Sequence, residues 1–288
     1  MLAGCSGAGS SPMAAAGSQP IQTQAQAIPQ RALSRRVLYV ADIDGQPGLG
    51  QILVYSAGMK NPQLLRTITN GAGRPFGMWV DEKNILYVAN YPNKLPGSVT
   101  EFKPGATSPF FQIGGFKGYP QSVAVDAHQD VFVNESVQDE GYVQVFPPHN
   151  STAEATIDTG IGGYAFQPGG MGFDSQGNLI VAEEAKLQLQ VVKIAPGSWG
   201  VTPMNLDLTN IEGPGLGVDK AGNIYVGNSA GSTVSVFPPG ATEPSRTITN
   251  VPAYGYMSVT PQGAVYTASG EYTVTEVAPG SNSPTYTL

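Results

Sequence analysis

A five-residue phrase recurs six times along this chain, so whatever fold it adopts must repeat with it. The copies are Leu38–Asp42, Leu86–Asn90, Val131–Glu135, Leu179–Glu183, Ile224–Asn228 and Val265–Ser269, spaced roughly 41 to 48 residues apart. After each comes a loop and then a β-branched alternating run, such as Val99-Thr100-Glu101-Phe102 or Val234-Ser235-Val236-Phe237. Alternation with a period of two, bounded by Gly and Pro, marks a half-buried strand. A turn follows as Lys103-Pro104-Gly105, Ala195-Pro196-Gly197, Pro238-Pro239-Gly240 or Ala278-Pro279-Gly280. Proline pre-sets φ and glycine supplies φ > 0, which is type II turn chemistry. A short outer strand such as Thr67-Ile68-Thr69 or Thr247-Ile248-Thr249 completes the unit.

Between phrases lies a smaller, more apolar strand: Gly77–Asp81, Ser122–Asp126, Gly170–Asp174, Leu216–Asp219 and Met257–Thr260. Small residues suit a strand near a central axis where repeats converge. The closing Asp opens a tight turn, clearest in Asp174-Ser175-Gln176-Gly177-Asn178, where the carboxylate accepts from backbone amides. Four strands per repeat and six repeats predict an all-β, six-bladed β-propeller of four-stranded antiparallel blades. Only five inner strands are recognisable. Ahead of Val37 there is no good copy, so residues 27–36 supply a degenerate one or the first blade has three strands. The chain ends on an outer strand, Pro284–Leu288, so the termini show no obvious shared blade.

The order of inner strand, Asp-x-x-Gly turn, Tyr-Val-Ala-Asp-like strand and Val-x-Val-Phe-like strand resembles the NHL repeat. More broadly it resembles the six-bladed superfamily that includes SMP-30/gluconolactonase-like proteins. The resemblance covers residues 37–288 and concerns fold, because propellers carry many unrelated activities.

Length permits one all-β unit: 288 residues is within the range of single propellers. Gly (37) and Pro (24) provide the many turns, and 41% hydrophobic residues leave enough apolar surface for a core. A formal charge of −7, with pI near 4.8 and no Lys/Arg run, argues against nucleic acid as a partner. No stretch of 18 or more apolar residues is present to span a bilayer as a helix.

The single cysteine excludes an intramolecular disulfide framework. Its setting, Leu2-Ala3-Gly4-Cys5, resembles the lipobox of bacterial lipoproteins, in which cleavage before the cysteine precedes lipidation of its thiol. The basic and apolar regions that normally come first are missing, so a start codon upstream of Met1 or a trimmed chain accompanies this reading. From Ser6 to about Arg31 the chain is rich in Gly, Ser, Ala, Gln and Pro and is expected to be a flexible tether. The predicted division is therefore 1–33 for the lipobox-like start and tether, and 34–288 for the propeller. The expected location is the bacterial cell envelope, lipid-anchored through Cys5, or secreted; a monomer is expected.

Placing the phrases in register puts Asp42, Asn90, Glu135, Glu183, Asn228 and Ser269 at one equivalent position. All six enter the loop between second and third strands. Carboxylates and amide carbonyls are ligands for a hard cation such as Ca²⁺. The SMP-30 resemblance implies a divalent metal at the central mouth for lactone hydrolysis, with Glu135 and Glu183 the first choices and Asn90, Asn228 and Asp42 beside them. The competing reading is that each side chain bonds to its local loop, which explains why one residue class recurs in every blade.

The connections between blades open on the same face and carry Arg74, Phe76, Tyr119, Tyr164, Phe166, Tyr254 and Tyr256. Aromatic rings with an Arg form a surface for a peptide or glycan, or else plug the gaps between blades. His128 and His149 fall in turns on the opposite face and are expected to be solvated. No Gly-x-Ser-x-Gly elbow is present, and no histidine base sits on the ligand face as a lyase would need. Two functions follow: an extracytoplasmic module binding protein or carbohydrate through its loop-rich face, and a divalent-metal-dependent hydrolase or lactonase.

Overall fold

The computed structural model describes residues 2–5, 37–43, 50–57, 61–91, 96–162, 167–185, 188–213, 215–252, 257–268 and 273–287, and these form strands and turns with no helix. Six four-stranded sheets account for every strand. Blade 1 contains β1 (Leu2–Cys5), β2 (Val37–Ile43), β3 (Gly50–Ser56) and β4 (Leu64–Ile68). Blade 2 contains β5 (Pro75–Val80), β6 (Leu86–Asn90), β7 (Ser98–Phe102) and β8 (Phe111–Ile113). Blade 3 is β9 (Tyr119–Val125), β10 (Val131–Val137), β11 (Glu140–Phe146) and β12 (Ala155–Gly162). Blade 4 is β13 (Gln167–Phe173), β14 (Leu179–Ala185), β15 (Gln188–Ile194) and β16 (Val201–Pro203). Blade 5 is β17 (Leu216–Val218), β18 (Ile224–Asn228), β19 (Thr233–Phe237) and β20 (Arg246–Thr249). Blade 6 is β21 (Met257–Val259), β22 (Val265–Ala268), β23 (Val274–Val277) and β24 (Tyr286–Thr287).

Blades 2 to 6 are antiparallel throughout, as the repeat predicts. Blade 1 has only three antiparallel strands, β2 to β4. Its inner position is taken by β1, which runs parallel to β2 with Leu2 opposite Val40 and Cys5 opposite Ile43. A parallel neighbour cannot be joined by a hairpin and needs a long crossover; residues 6–36 are more than long enough for one. Each inner strand packs against the next, from β1 through β5, β9, β13, β17 and β21 back to β1, so the ring closes.

The second strand of each blade explains the continuous apolar phrase. It is covered on both faces by neighbouring blades, and every residue of β6 and β14 is buried. Outer strands face solvent on one side, so β12 alternates between buried and exposed. Apolar clusters fill all six seams, from Tyr39, Val54, Leu86 and Phe102 between blades 1 and 2 to Leu38, Ala268 and Val274 between blades 6 and 1.

The predicted turns are present. Asp174 Oδ1 accepts from the amides of Gln176 and Asn178 at 2.9 Å, and Asp219 Oδ1 from Asn223 at 3.0 Å. In the Pro-Gly turns, the Ala106 amide reaches the Lys103 carbonyl at 3.0 Å while Gly105 takes φ 81°. Blade 3 lacks that glycine, and His149 occupies its place at φ 51°.

Candidate functional site

The second strand of each blade ends on the face where blades are linked, here called the upper face. Because both sides of that strand are buried, its fifth residue points sideways into a seam and not toward the axis. Asn90 donates to Thr100 Oγ1 at 3.0 Å, and Thr100 in turn donates to the Gly71 carbonyl at 2.7 Å, in the connection arriving from blade 1. Glu135 accepts from the Gly118 amide at 3.0 Å, in the connection from blade 2, and from Gln144. Asn228 Oδ1 accepts from the amides of Glu212 and Gly231 at 3.3 and 3.2 Å, while its Nδ2 donates to the Asn210 carbonyl at 2.8 Å. Asp42 accepts from Gln51 at 2.7 Å within blade 1. Ser269 lies outside the described residues.

The position thus ties blades and their connections together, reaching further than a bond within its own loop. Asn90, Glu135 and Asn228 are each engaged with a different blade connection, and Asp42 within its own blade. Among the described residues, the one group of three acid or imidazole side chains with ligand atoms within 4.8 Å is Asp126, His128 and Asp130. That group is an exposed turn on the opposite face, with Asp126 Oδ1 accepting from the amides of His128 and Asp130 at 2.9 Å.

Glu183 is the chemically unusual member. It has no exposed surface, accepts from Thr159 Oγ1 at 2.6 Å and lies against Gly141, where a Cβ would sit 2.6 and 2.7 Å from its two oxygens. Burial pushes its pKa up to about 7, with Thr159 and then Asn134 pulling it down and Asp158 adding a further upward push. Ser122 Oγ, in the inner strand of blade 3, is buried without a hydrogen-bond partner. Glu184 turns to the other side and accepts from the Gly213 amide at 3.2 Å. A carboxyl so enclosed can hold a proton near neutral pH, but it presents no surface to a substrate.

The upper face is aromatic between blades 2 and 3. Phe76 stacks on Tyr91 with ring centroids 5.2 Å apart, and Tyr91 stacks on Tyr119 at 4.7 Å and 15°. The Arg74 guanidinium lies 5.2 Å from the Tyr91 ring, a cation–π distance, and the Tyr91 amide bonds the Arg74 carbonyl at 3.0 Å. Burial, then Tyr119, raises the Tyr91 phenol pKa, and Arg74 opposes them. All four residues are half-buried. Three of them, Arg74, Phe76 and Tyr119, were legible as ligand-face candidates. Tyr91 was not, although its place directly after the Asn90 phrase puts it at the head of the same loop. Phe116, from the same set of connections, is core: it is buried and packs edge-on against Phe146. Tyr164, Phe166, Tyr254 and Tyr256 lie outside the described residues.

No protein-family model matches the chain, and no curated protein does. Solved structures match it by shape. A nidogen/laminin complex structure aligns with a TM-score of 0.63 and 15% identity, over 88% of this chain and 92% of that one. The WD40 β-propeller domain of Doa1 aligns at 0.58 and 15% identity, over 88% and 81%. Hydrazine synthase of Kuenenia stuttgartiensis aligns at 0.64 and 13% identity, over 85% and 80%. The chain is a six-bladed β-propeller. At these identities the likeness is one of fold alone.

Proposed function

We propose that the protein is a non-catalytic binding module that engages a protein or carbohydrate partner through its upper face. The stacked Phe76, Tyr91 and Tyr119 rings with Arg74 above Tyr91 carry this reading. Rigid rings beside a guanidinium are the composition of interface anchors, with large contact area and few rotors to immobilise. The propellers it resembles in shape include one solved in a nidogen/laminin complex. This reading is favoured over a metal-dependent hydrolase because Asn90, Glu135 and Asn228 are already engaged with three different blade connections. The test is binding of the purified protein to printed glycans and surface proteins, beside an Arg74→Ala/Tyr91→Ala variant. Loss of at least tenfold in affinity for a captured partner is expected. Equal binding by that variant would remove the upper patch from the function.

The proposal places the module outside the cytoplasm, anchored through a lipidated Cys5. Processing ahead of Cys5 removes Leu2, Ala3 and Gly4, three of the four residues of β1. An anchored mature protein therefore has a three-stranded blade 1, and a protein keeping β1 has no anchor at Cys5. Mass spectrometry of protein expressed from a longer upstream reading frame distinguishes them by the presence or absence of an acylated Cys5.

A further inference from the structure

The missing antiparallel inner strand has a consequence on the lower face, opposite the aromatic patch. In the other five blades, the first residue of the phrase is paired with the end of an inner strand: Leu86 with Val80, Val131 with Val125, Leu179 with Phe173, Ile224 with Val218 and Val265 with Val259. The equivalent Leu38 has no such partner among the described residues, because β1 pairs only from Val40 to Ile43. A cavity of about 1400 Å³ opens there, bounded by Val37, Leu38 and Tyr39 and reaching across the axis. Its volume exceeds the few hundred to about 1,000 Å³ usual for small-molecule pockets.

The cavity is amphipathic in a specific way. Inner strands give it an apolar floor of Met78, Trp79, Val80, Phe173, Val218 and Val259, with Trp79 and Phe173 edge to face at 6.1 Å. Toward the cleft between blades 1 and 2 stands Arg66, whose charge opposes the upward push of burial on the pKa of the nearby Tyr39 phenol. Its Nε is buried without a partner, and among the described residues no carboxylate lies within ion-pair distance of it. The other charged side chains of the lining are Glu82, Asp174, Asp219, Glu276 and Lys220; Asp174 and Asp219 each hold their own turn through backbone and Asn donors. Arg66 is therefore a half-buried cation beside an apolar floor, with no carboxylate of the described residues in direct ion-pair contact with it.

We propose that this cavity is a second binding site, for a monoanionic amphiphile: an organic acid with an aliphatic or aromatic body in the Trp79–Phe173 floor and its carboxylate on Arg66. A guanidinium meets a carboxylate through paired N–H donors, and the exclusion of water by the apolar walls strengthens that bond. The site is independent of the upper patch.

Trp79 is a built-in reporter. The chain has two tryptophans, and Trp199 lies away from the cavity, packed on Phe132. A Trp199→Phe protein leaves Trp79 as the single emitter. Titrating it with decanoate, decanol and decyltrimethylammonium, at concentrations below micelle formation, should give a saturable change with decanoate, at least tenfold weaker with decanol and none with the cation. Arg66→Gln should lower decanoate affinity at least tenfold and leave decanol unchanged, with Arg66→Lys intermediate and far-UV circular dichroism confirming the fold. Tyr91→Ala should bind decanoate normally while losing the upper-face partner. The inference is overturned by equal binding of decanol and decanoate, by preference for the cation, or by indifference to Arg66→Gln. Absence of any saturable response, as when residues of this chain fill the cavity, overturns it equally.

Discussion

The seams on either side of the ring are built to different standards. Between blades 3 and 4, Phe132, Phe173 and Trp199 interlock with one another and with Leu179, Val181 and Ile194. Between blades 6 and 1, the buried apolar residues among those described are Leu38, Ala268 and Val274, with Val40, Tyr55 and Tyr266 partly covered. The first seam is closed by local repeats, the second by bringing residues near the two ends of the chain together. The difference teaches that the propeller is held by unequal joints, and that the weakest one borders the large cavity.

The largest expected effect exploits two equivalent leucines. Leu179 and Leu38 both open their phrase, but only Leu179 is paired with an inner strand. Leu179→Ala should cost about 4 kcal/mol and Leu38→Ala about 2 kcal/mol, the upper and lower parts of the range for buried leucines. Urea denaturation of both variants measures the gap. Equal losses would mean that the closing seam is as tightly packed as the other.

Glu183 adds a pH term to the stronger seam. Its folded pKa of about 7 stands above the ordinary 4.5, so the folded state holds the proton more tightly than the unfolded chain. Its contribution is greatest below pH 4.5 and is lost as pH rises through 7, on the order of 3 kcal/mol in all. Wild-type protein should therefore lose melting temperature between these pH values relative to Glu183→Gln. Parallel pH profiles for the two proteins would show that the buried carboxyl is not the titrating group.

A smaller effect is expected between blades 2 and 3. Glu101 is fully buried at a position where blades 3 and 5 carry Val145 and Val236, and His149 Nδ1 approaches it at 2.9 Å from the neighbouring blade. His149 is thus a bonding partner across a seam, beyond the solvated loop residue expected from its turn. It also holds the left-handed conformation that glycine takes in the other Pro-Gly turns. His149→Gly relieves that backbone but leaves a buried carboxylate alone, a net loss of about 2 kcal/mol. Glu101→Val with His149→Gly should recover it, because the first then matches blades 3 and 5 and the second matches the glycine of the other Pro-Gly turns. A double-mutant cycle by chemical denaturation reports the coupling.

Much of this was legible in the repeat itself. Phrases such as Leu86–Asn90, the Asp174 and Asp219 turns and the glycines at 105, 240 and 280 announce their own conformations, because each is a local demand on φ or on a backbone donor. The missing inner copy before Val37 was visible for the same reason. What replaced it was not: four residues at Leu2–Cys5 carry no alternation, and a parallel partner far away in the chain has no local signature. The direction of Glu135, Glu183 and Asn228 was hidden too. Register fixes where a residue falls along a strand, but which seam it enters depends on both faces of that strand being covered. Tyr91 and the Arg66 cavity depend likewise on side chains from different blades.

The smallest expected effect, and the most direct view of the joints, is in amide exchange. Local opening should begin where the least apolar surface is given up. Amides of Val40–Ile43 in β2 and of β22 should exchange through openings well below the global unfolding free energy, while those of β10 and β14 exchange only near it. Deleting Leu2–Gly4 should speed exchange in β2 several-fold and leave β14 unchanged, since β1 bonds only to the first of these. If β2 and β14 instead exchange together, with or without β1, the ring opens as one unit and the inequality of its seams has no dynamic consequence.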